Sequence, residues 1–320
     1  MKKKIPIFVI TIKNSLREKN IVERLNYLKL SYKLFYSIDG NDPKNYYFLK
    51  KKYNRFISEN IRTKKMTYQE ISIAYAHLEI YKYIAKKQIP AAVVMEDDCF
   101  PSTNLVNWVD YNYGKLNNFD IISFYSISGF LEKQPYFVTE NKLKIFKACT
   151  HIPNATCYQI NLRACKYMLK KSKGKVFAVA DWPVLFSKKE LNLYSVIPLI
   201  AGLHHDHLSA ATNKSLWENR SYIKIIKKFI PFYDILAALY YVLHIPILIG
   251  KNVWGGADVN LDLKYSFYKE YYLEKKLFYI KNLFSKKFIR LEKYEYVKSF
   301  YAKDLHENLE LLIKKISINK

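Results

Sequence analysis

The sequence predicts an α/β fold built on a mostly parallel sheet. Three observations carry that expectation. Short apolar runs alternate with amphipathic, charged segments over the first two hundred or so residues. One helix has an explicit start signal, Thr67-Tyr68-Gln69-Glu70. One buried-type strand, Ala91–Met95, runs straight into three acids, Glu96-Asp97-Asp98.

The elements follow in order. Ile5–Ile12 reads as the first strand; its apolar run is too short, and lacks a small-residue cleavage site, for a signal peptide. Leu16–Leu28 reads as a charged helix and Tyr32–Ile38 as a second strand, closed by the turn pair Asp39-Gly40. A basic, tyrosine-rich stretch from Lys44 to Lys65 shows little periodicity. Thr67–Lys87 is the capped helix, on which Glu70, Ala74, His77 and Tyr81 recur at three- and four-residue steps and share a face. After the acid-tipped strand, Phe119–Tyr125 and Thr156–Ile160 read as strands and Leu162–Lys171 as a helix. Val176–Ala180 leads to Asp181-Trp182-Pro183, a helix-start pattern, and Leu193–Pro198 reads as a final strand.

Composition shifts near Asn213, which divides the chain into an expected catalytic domain over 1–212 and a basic, aromatic, mainly helical region over 213–320. Within the second part, Phe229–Gly250 is nearly all apolar, but Pro231, Asp234, His244 and Pro246 interrupt it. That leaves less than the roughly 20 apolar residues a membrane span requires. Lys224, Lys227, Lys228 and Lys251 flank it, a pattern that suits either an interfacial segment on anionic lipid or a buried core helix. The whole chain carries 53 Lys and Arg against 28 Asp and Glu, a formal charge of +25, which attracts polyanions without choosing among them. Cys99, Cys149, Cys157 and Cys165 form no CxxC pair, so free thiols in a reducing compartment are expected.

Three adjacent carboxylates repel and raise one another's pKa, so such a cluster points to a hard divalent cation, Mn²⁺ or Mg²⁺. Strand alternation puts Glu96 and Asp98 on one side and Asp97 on the other, making Asp98 with one neighbour the better metal-ligand pair. The competing reading is a helix cap or a solvated loop. Glu70 is either a site residue or simply the reciprocal half of a capping box, and Asp181 either an N-cap or a general base. His204-His205-Asp206-His207 gathers three of the seven histidines, and one of them, His205, is a candidate further metal ligand. No GxxxxGK[ST], GxGxxG or GxSxG motif occurs, and eight glycines leave few places for a glycine-cradled phosphate.

Taken in order, these segments resemble glycosyltransferase family 25, the bacterial lipopolysaccharide and lipooligosaccharide transferases. Phe8-Val9-Ile10-Thr11-Ile12 with Arg17 and Arg24 looks like the family's opening strand and helix. Tyr36-Ser37-Ile38-Asp39-Gly40 is similar to its "A-x-D-G" turn. Met66-Thr67-Tyr68-Gln69-Glu70-Ile71 through Ala76-His77-Leu78 resembles "L-T-x-G-E-x-G … S-H-L". Val94-Met95-Glu96-Asp97-Asp98 resembles "L-x-L-E-D-D", and Tyr158-Gln159-Ile160-Asn161 with Ala164, then Ala180-Asp181-Trp182, resemble its later segments. Gln69, Ser72, Ala76 and Ala180 depart from the family pattern, and so does Val179, which holds its proline position.

The resemblance implies a GT-A-like domain, a UDP-hexose donor (typically UDP-galactose), a divalent metal and a lipid-linked oligosaccharide acceptor, with inversion at the anomeric carbon. It implies catalytic or site-lining roles for Asp181, Glu70 and His77. Donor contacts would come from Thr11, Arg17, Asp39, Glu96 and Asp97, and metal ligation from Asp98, Glu96 and His205. The expected location is the cytoplasmic face of the inner membrane, held peripherally on anionic lipid. Two rival readings are a nucleic-acid-binding protein using the Lys/Tyr-rich surface and an inactive relative acting as an assembly partner. The acid triplet counts against the first, so nucleic acid is not expected as a partner.

Overall fold

The computed structural model describes residues 4–55, 66–110, 119–125, 130–139, 143–149, 155–178, 180, 191–197, 199–203 and 288–290. The expectations for Asp181, for His204–His207, for the apolar stretch 229–250 and for nearly all of 213–320 lie outside them.

An eight-stranded sheet forms the centre. Its strands, in chain order, are β1 (Ile7–Thr11), β2 (Tyr32–Tyr36), β3 (Ala91–Glu96), β5 (Ile121–Ser123), β7 (Phe137–Val138), β8 (Lys144–Lys147), β9 (Cys157–Asn161) and β10 (Leu193–Ile197). Their order across the sheet is β2-β1-β3-β9-β5-β10-β8-β7. Strand β4 (Cys99–Pro101) pairs with β11 (Ala201–Leu203), and β6 (Phe130–Glu132) with β12 (Phe288–Arg290).

The sheet is mixed, where the sequence suggested a mostly parallel one. β1 runs parallel to β2 and β3, and β5 parallel to β10. β9, however, lies antiparallel between β3 and β5, and β8 antiparallel to β10 and β7. Alternation of strands and helices reports that helices cover the sheet but carries no information on the direction of a strand inserted between two others.

Alternate residues of the buried strands feed two separate cores. Phe8, Ile10, Ala92, Val94, Tyr158 and Ile160 face one side, while Ile7, Val9, Val93, Met95 and Cys157 face the other. That two-sided burial is why the strands read as unbroken apolar runs. Helices α3 (Tyr68–Lys87) and α5 (Leu162–Ser172) cover the first side. Helices α1 (Leu16–Tyr27) and α4 (Asn104–Asp110) cover the second, through Ile21, Leu25, Leu105 and Trp108. A further short helix, α2 (Tyr46–Lys52), occupies part of the stretch that shows no periodicity and packs on α3. Its one buried residue is Leu49, which is too little apolar stripe to announce a helix.

Caps fix the helix starts. Ser15 accepts the Glu18 amide to open α1, and Asn161 accepts the Ala164 amide at 2.8 Å to open α5. The capping box of α3 is complete: Glu70 N–H donates to Thr67 Oγ1 at 3.1 Å and Thr67 N–H donates to Glu70 Oε2 at 2.8 Å. No helix among the described residues is long and apolar enough to cross a membrane.

Candidate active site

Parallel pairing of β1 with β3 brings their carboxyl ends side by side, so Thr11 and Glu96 open onto one cleft. Ligands of open α/β sheets bind beyond the carboxyl ends of strands. The cleft holds about 190 Å³ and is walled by Thr11, Ser15, Arg17, Gln69, Glu96, Asp97 and Asp98 among others.

The acid triplet sits on its floor, and the three carboxylates are held differently. Glu96 still belongs to β3 and its Oε1 meets His77 Nε2 at 3.0 Å. Asp97 Oδ2 accepts from Thr11 Oγ1 at 2.8 Å. Arg17 Nη1 stands 3.7 Å from Asp97 Oδ1 and 3.5 Å from Asp98 Oδ2. The expectation that Asp97 would face away from Asp98 is therefore corrected. β3 ends at Glu96 and the chain turns there, so strand alternation stops applying and one guanidinium meets both aspartates.

Asp98 is the perturbed group. Its side chain is 23% exposed, yet Oδ1 is fully covered and has no hydrogen-bond partner among the described residues. Burial, then the charge of Glu96, push its pKa up to about 7, against the pull of Arg17. Burial also raises Asp97, and the Thr11 hydroxyl and Arg17 oppose it.

The remaining sequence candidates fall as follows. Glu70 is engaged in the capping box, and the α3 residues that wall the cleft are Gln69 and Ile73. His77 is buried and sits between Glu96 and Tyr158 Oη, which lies 2.7 Å from Nδ1. Asp39 shapes its own turn, with Oδ1 accepting from Asn41 N–H at 2.8 Å. Asp181 and His205 lie outside the described residues, although Ala180 lines a small apolar hollow beside His77, Tyr81 and Phe177.

Sequence reasoning missed Gln69 and Tyr158 as parts of this assembly. Gln69 Oε1 accepts from Gly40 N–H at 2.9 Å, joining the Asp39-Gly40 turn to the first turn of α3. A β-carbon on Gly40 would stand 2.5 Å from the Gln69 α-carbon, so no larger residue fits there. Ser37 and Ser72 hydroxyls, 2.8 Å apart, tie the same two segments together. For Gln69 the signal was its departure, with Ser72, from the family pattern, and for Tyr158 its place at the head of the family-like segment Tyr158–Asn161. Gln69 and Ser72 replace glycines with side chains that bond across this joint.

The model of glycosyltransferase family 25, described as an LPS biosynthesis protein, matches residues 4–182. The chain belongs to that family. The matched span carries β1, the start of α1 with Arg17, Ser37, the first turns of α3 and the acid triplet, which are the parts that wall the cleft. No curated protein matches this family 25 chain. Among solved structures, the crystal structure of mannose-1-phosphate geranyltransferase from Thermus thermophilus is similar at 9% identity and a TM-score of 0.32, covering 60% of this chain and 74% of that one.

Among the described residues, no group of three His, Cys, Asp or Glu side chains is gathered closely enough to hold a metal ion by itself. A covered carboxylate oxygen on Asp98 with no partner among the described residues, beside the Glu96 charge, nonetheless suits one edge of a Mg²⁺-type shell. Such ions take one or two protein carboxylates and complete their coordination with water and substrate phosphate.

Proposed function

We propose that this family 25 glycosyltransferase binds the diphosphate of a nucleotide sugar in the β1/β3 cleft and transfers its hexose to a lipooligosaccharide or lipopolysaccharide acceptor. Family membership supports glycosyl transfer in LPS biosynthesis. The observation that carries the placement is Asp98 Oδ1, a buried oxygen with no partner among the described residues, in a cleft that also holds Arg17. A buried anion without a partner is costly, and binding a cation or a donor there removes that cost.

In this reading the donor is UDP-galactose and the cofactor Mn²⁺ or Mg²⁺, with Asp98 and Glu96 as ligands and His205 as a further one. The bound ion would neutralise charge on the departing diphosphate. Arg17 turns from Asp97 and Asp98 towards phosphate oxygens. Thr11, which walls the cleft, would contact the nucleoside, and Asp39, which lies off the cleft wall in its own turn, would have to reach it from there. Asp181 removes the proton of the acceptor hydroxyl as its oxygen bonds to C1 and the C1–O bond to the diphosphate breaks, releasing UDP with inversion. Work on a lipid-linked acceptor places the enzyme peripherally on the cytoplasmic face of the inner membrane, where its basic charge favours anionic lipid.

A panel of UDP-hexoses with Mn²⁺, with and without lipooligosaccharide acceptor, tests this by following UDP release. UDP-galactose is expected to be turned over fastest, and acceptor to stimulate release. Absence of binding and turnover with every nucleotide sugar would overturn it.

A further inference from the structure

Behind the cleft, four side chains form one hydrogen-bonded chain. Tyr81 Oη lies 2.7 Å from Tyr158 Oη, Tyr158 Oη 2.7 Å from His77 Nδ1, and His77 Nε2 3.0 Å from Glu96 Oε1. Tyr81, Tyr158 and His77 are buried, and only Glu96 reaches the cleft. The fold explains the meeting. Antiparallel register sets Tyr158 of β9 opposite Val94 of β3, and Glu96, two residues on, points to the same face, where α3 presents His77 and Tyr81 one turn apart. The His77 and Tyr158 rings lie nearly parallel, 19° between planes, which fixes the ring as well as its nitrogens.

The chain has one direction in which every contact is a hydrogen bond with a neutral imidazole. A carboxylate only accepts, so His77 Nε2–H donates to Glu96. Neutral Nδ1 is then an acceptor, so Tyr158 O–H must donate to it, and Tyr158 oxygen in turn accepts from Tyr81 O–H. Burial holds the Tyr158 phenol well above its ordinary pKa, in keeping with an O–H at that point.

We propose that Tyr158, backed by Tyr81, is a positioning residue that fixes His77 in its Nε2–H tautomer and so holds the Glu96 carboxylate in one orientation at the cleft. Glutamate is a flexible side chain, and a hydrogen bond to a rigid buried donor removes that freedom before any ligand arrives. The functional part of this proposal rests on the reading of the cleft as the donor site; the tautomer part does not.

The test uses the full chain with ¹⁵N-labelled histidine, at about pH 8, above the usual histidine range. His77→Gln assigns the His77 signals among the seven histidines. The wild type is expected to show the Nε2–H tautomer, and Tyr158→Phe a mixture of the two neutral forms. An imidazolium or an Nδ1–H tautomer in the wild type overturns the proposal, and so does an unchanged tautomer in a folded Tyr158→Phe. In the UDP-hexose assay with Mn²⁺, Tyr158→Phe should lower kcat by about 10- to 100-fold with little change in donor KM, the usual scale for losing such a supporting hydrogen bond. Tyr81→Phe should keep the tautomer and lose less. A merely structural Tyr158 would instead lower the melting temperature and leave kcat per folded molecule unchanged, which also overturns the proposal. Should Tyr158→Phe fail to fold, the wild-type tautomer and the Tyr81→Phe rate decide. If no nucleotide sugar is turned over by the wild type, the donor reading fails while the tautomer measurement still stands.

Discussion

Arg17 Nη1 lies 3.5 Å from Asp98 Oδ2 while the other oxygen of Asp98 stays covered and has no hydrogen-bond partner among the described residues. One cation thus half-satisfies a carboxylate that adjoins two others, and the oxygen left over is covered in the wall of the cleft. Asp98→Asn removes that charge and keeps the shape. It should cut Mn²⁺-stimulated transfer on the order of 100-fold, with the far-ultraviolet circular dichroism unchanged. Full Mn²⁺-stimulated activity in the variant would remove Asp98 from the site.

Gly40 should tolerate no side chain. A β-carbon there would lie 2.5–2.6 Å from the backbone of Tyr68 and Gln69, atoms that belong to the first turn of a capped helix and have no room to yield. Gly40→Ala is therefore expected to destabilise the fold by about 1–3 kcal/mol, the usual range for forced overpacking. Urea unfolding measures it, and a variant as stable as the wild type would show that the joint is looser than its distances imply.

The parts of this fold visible in the sequence are those whose reasons are local. The Thr67–Glu70 capping box sets the start of α3, and the apolar runs of β1 and β3 mark strands buried on both faces. The direction of β9 and the short strands β6 and β8 depend on pairings with residues far along the chain, which leave no periodic trace. The site divides the same way. Glu96, Asp97 and Asp98 announce themselves as adjacent charges, whereas Tyr158 is one of 29 tyrosines and joins His77 only because β9 pairs with β3. Strand alternation does not extend to Asp97, since a turn after Glu96 erases the two-residue period.

At the other end of β9, Asp120 is buried and accepts from Arg163 Nε at 2.7 Å, from Arg163 Nη2, from Asn161 Nδ2 at 3.2 Å and from Asn192 N–H at 2.7 Å. Arg163 is 60% exposed and Asp120 only 1%, so the two partners are not equivalent. Arg163→Ala leaves a buried carboxylate short of its counter-charge, which costs about 1–3 kcal/mol, less than for a wholly buried pair because Arg163 is mostly in solvent and two neutral donors stay in place. Adding Asp120→Asn to that variant removes the stranded charge and should recover part of the loss. Chemical denaturation of the single and double variants checks the order; a double variant less stable than Arg163→Ala would contradict it.

Asp98 also makes the stability of the ligand-free protein depend on pH in an unusual direction for a carboxylate. Its pKa is pushed up to about 7, whereas an unfolded aspartate titrates near 3.9. The native state therefore holds this proton more tightly than the unfolded chain does. The stability that goes with it is full below the unfolded value and is lost as pH rises through about 7. Between those two values the wild type should lose melting temperature relative to Asp98→Asn, which has no such proton, and above pH 7 or so the asparagine variant should be the more stable of the pair. Mn²⁺ added above that range should restore the wild type and leave the variant unmoved, because the ion takes the place of the lost proton. Parallel melting curves for the two proteins across the pH range would show no such divergence only if Asp98 titrates in the folded protein as it does in water.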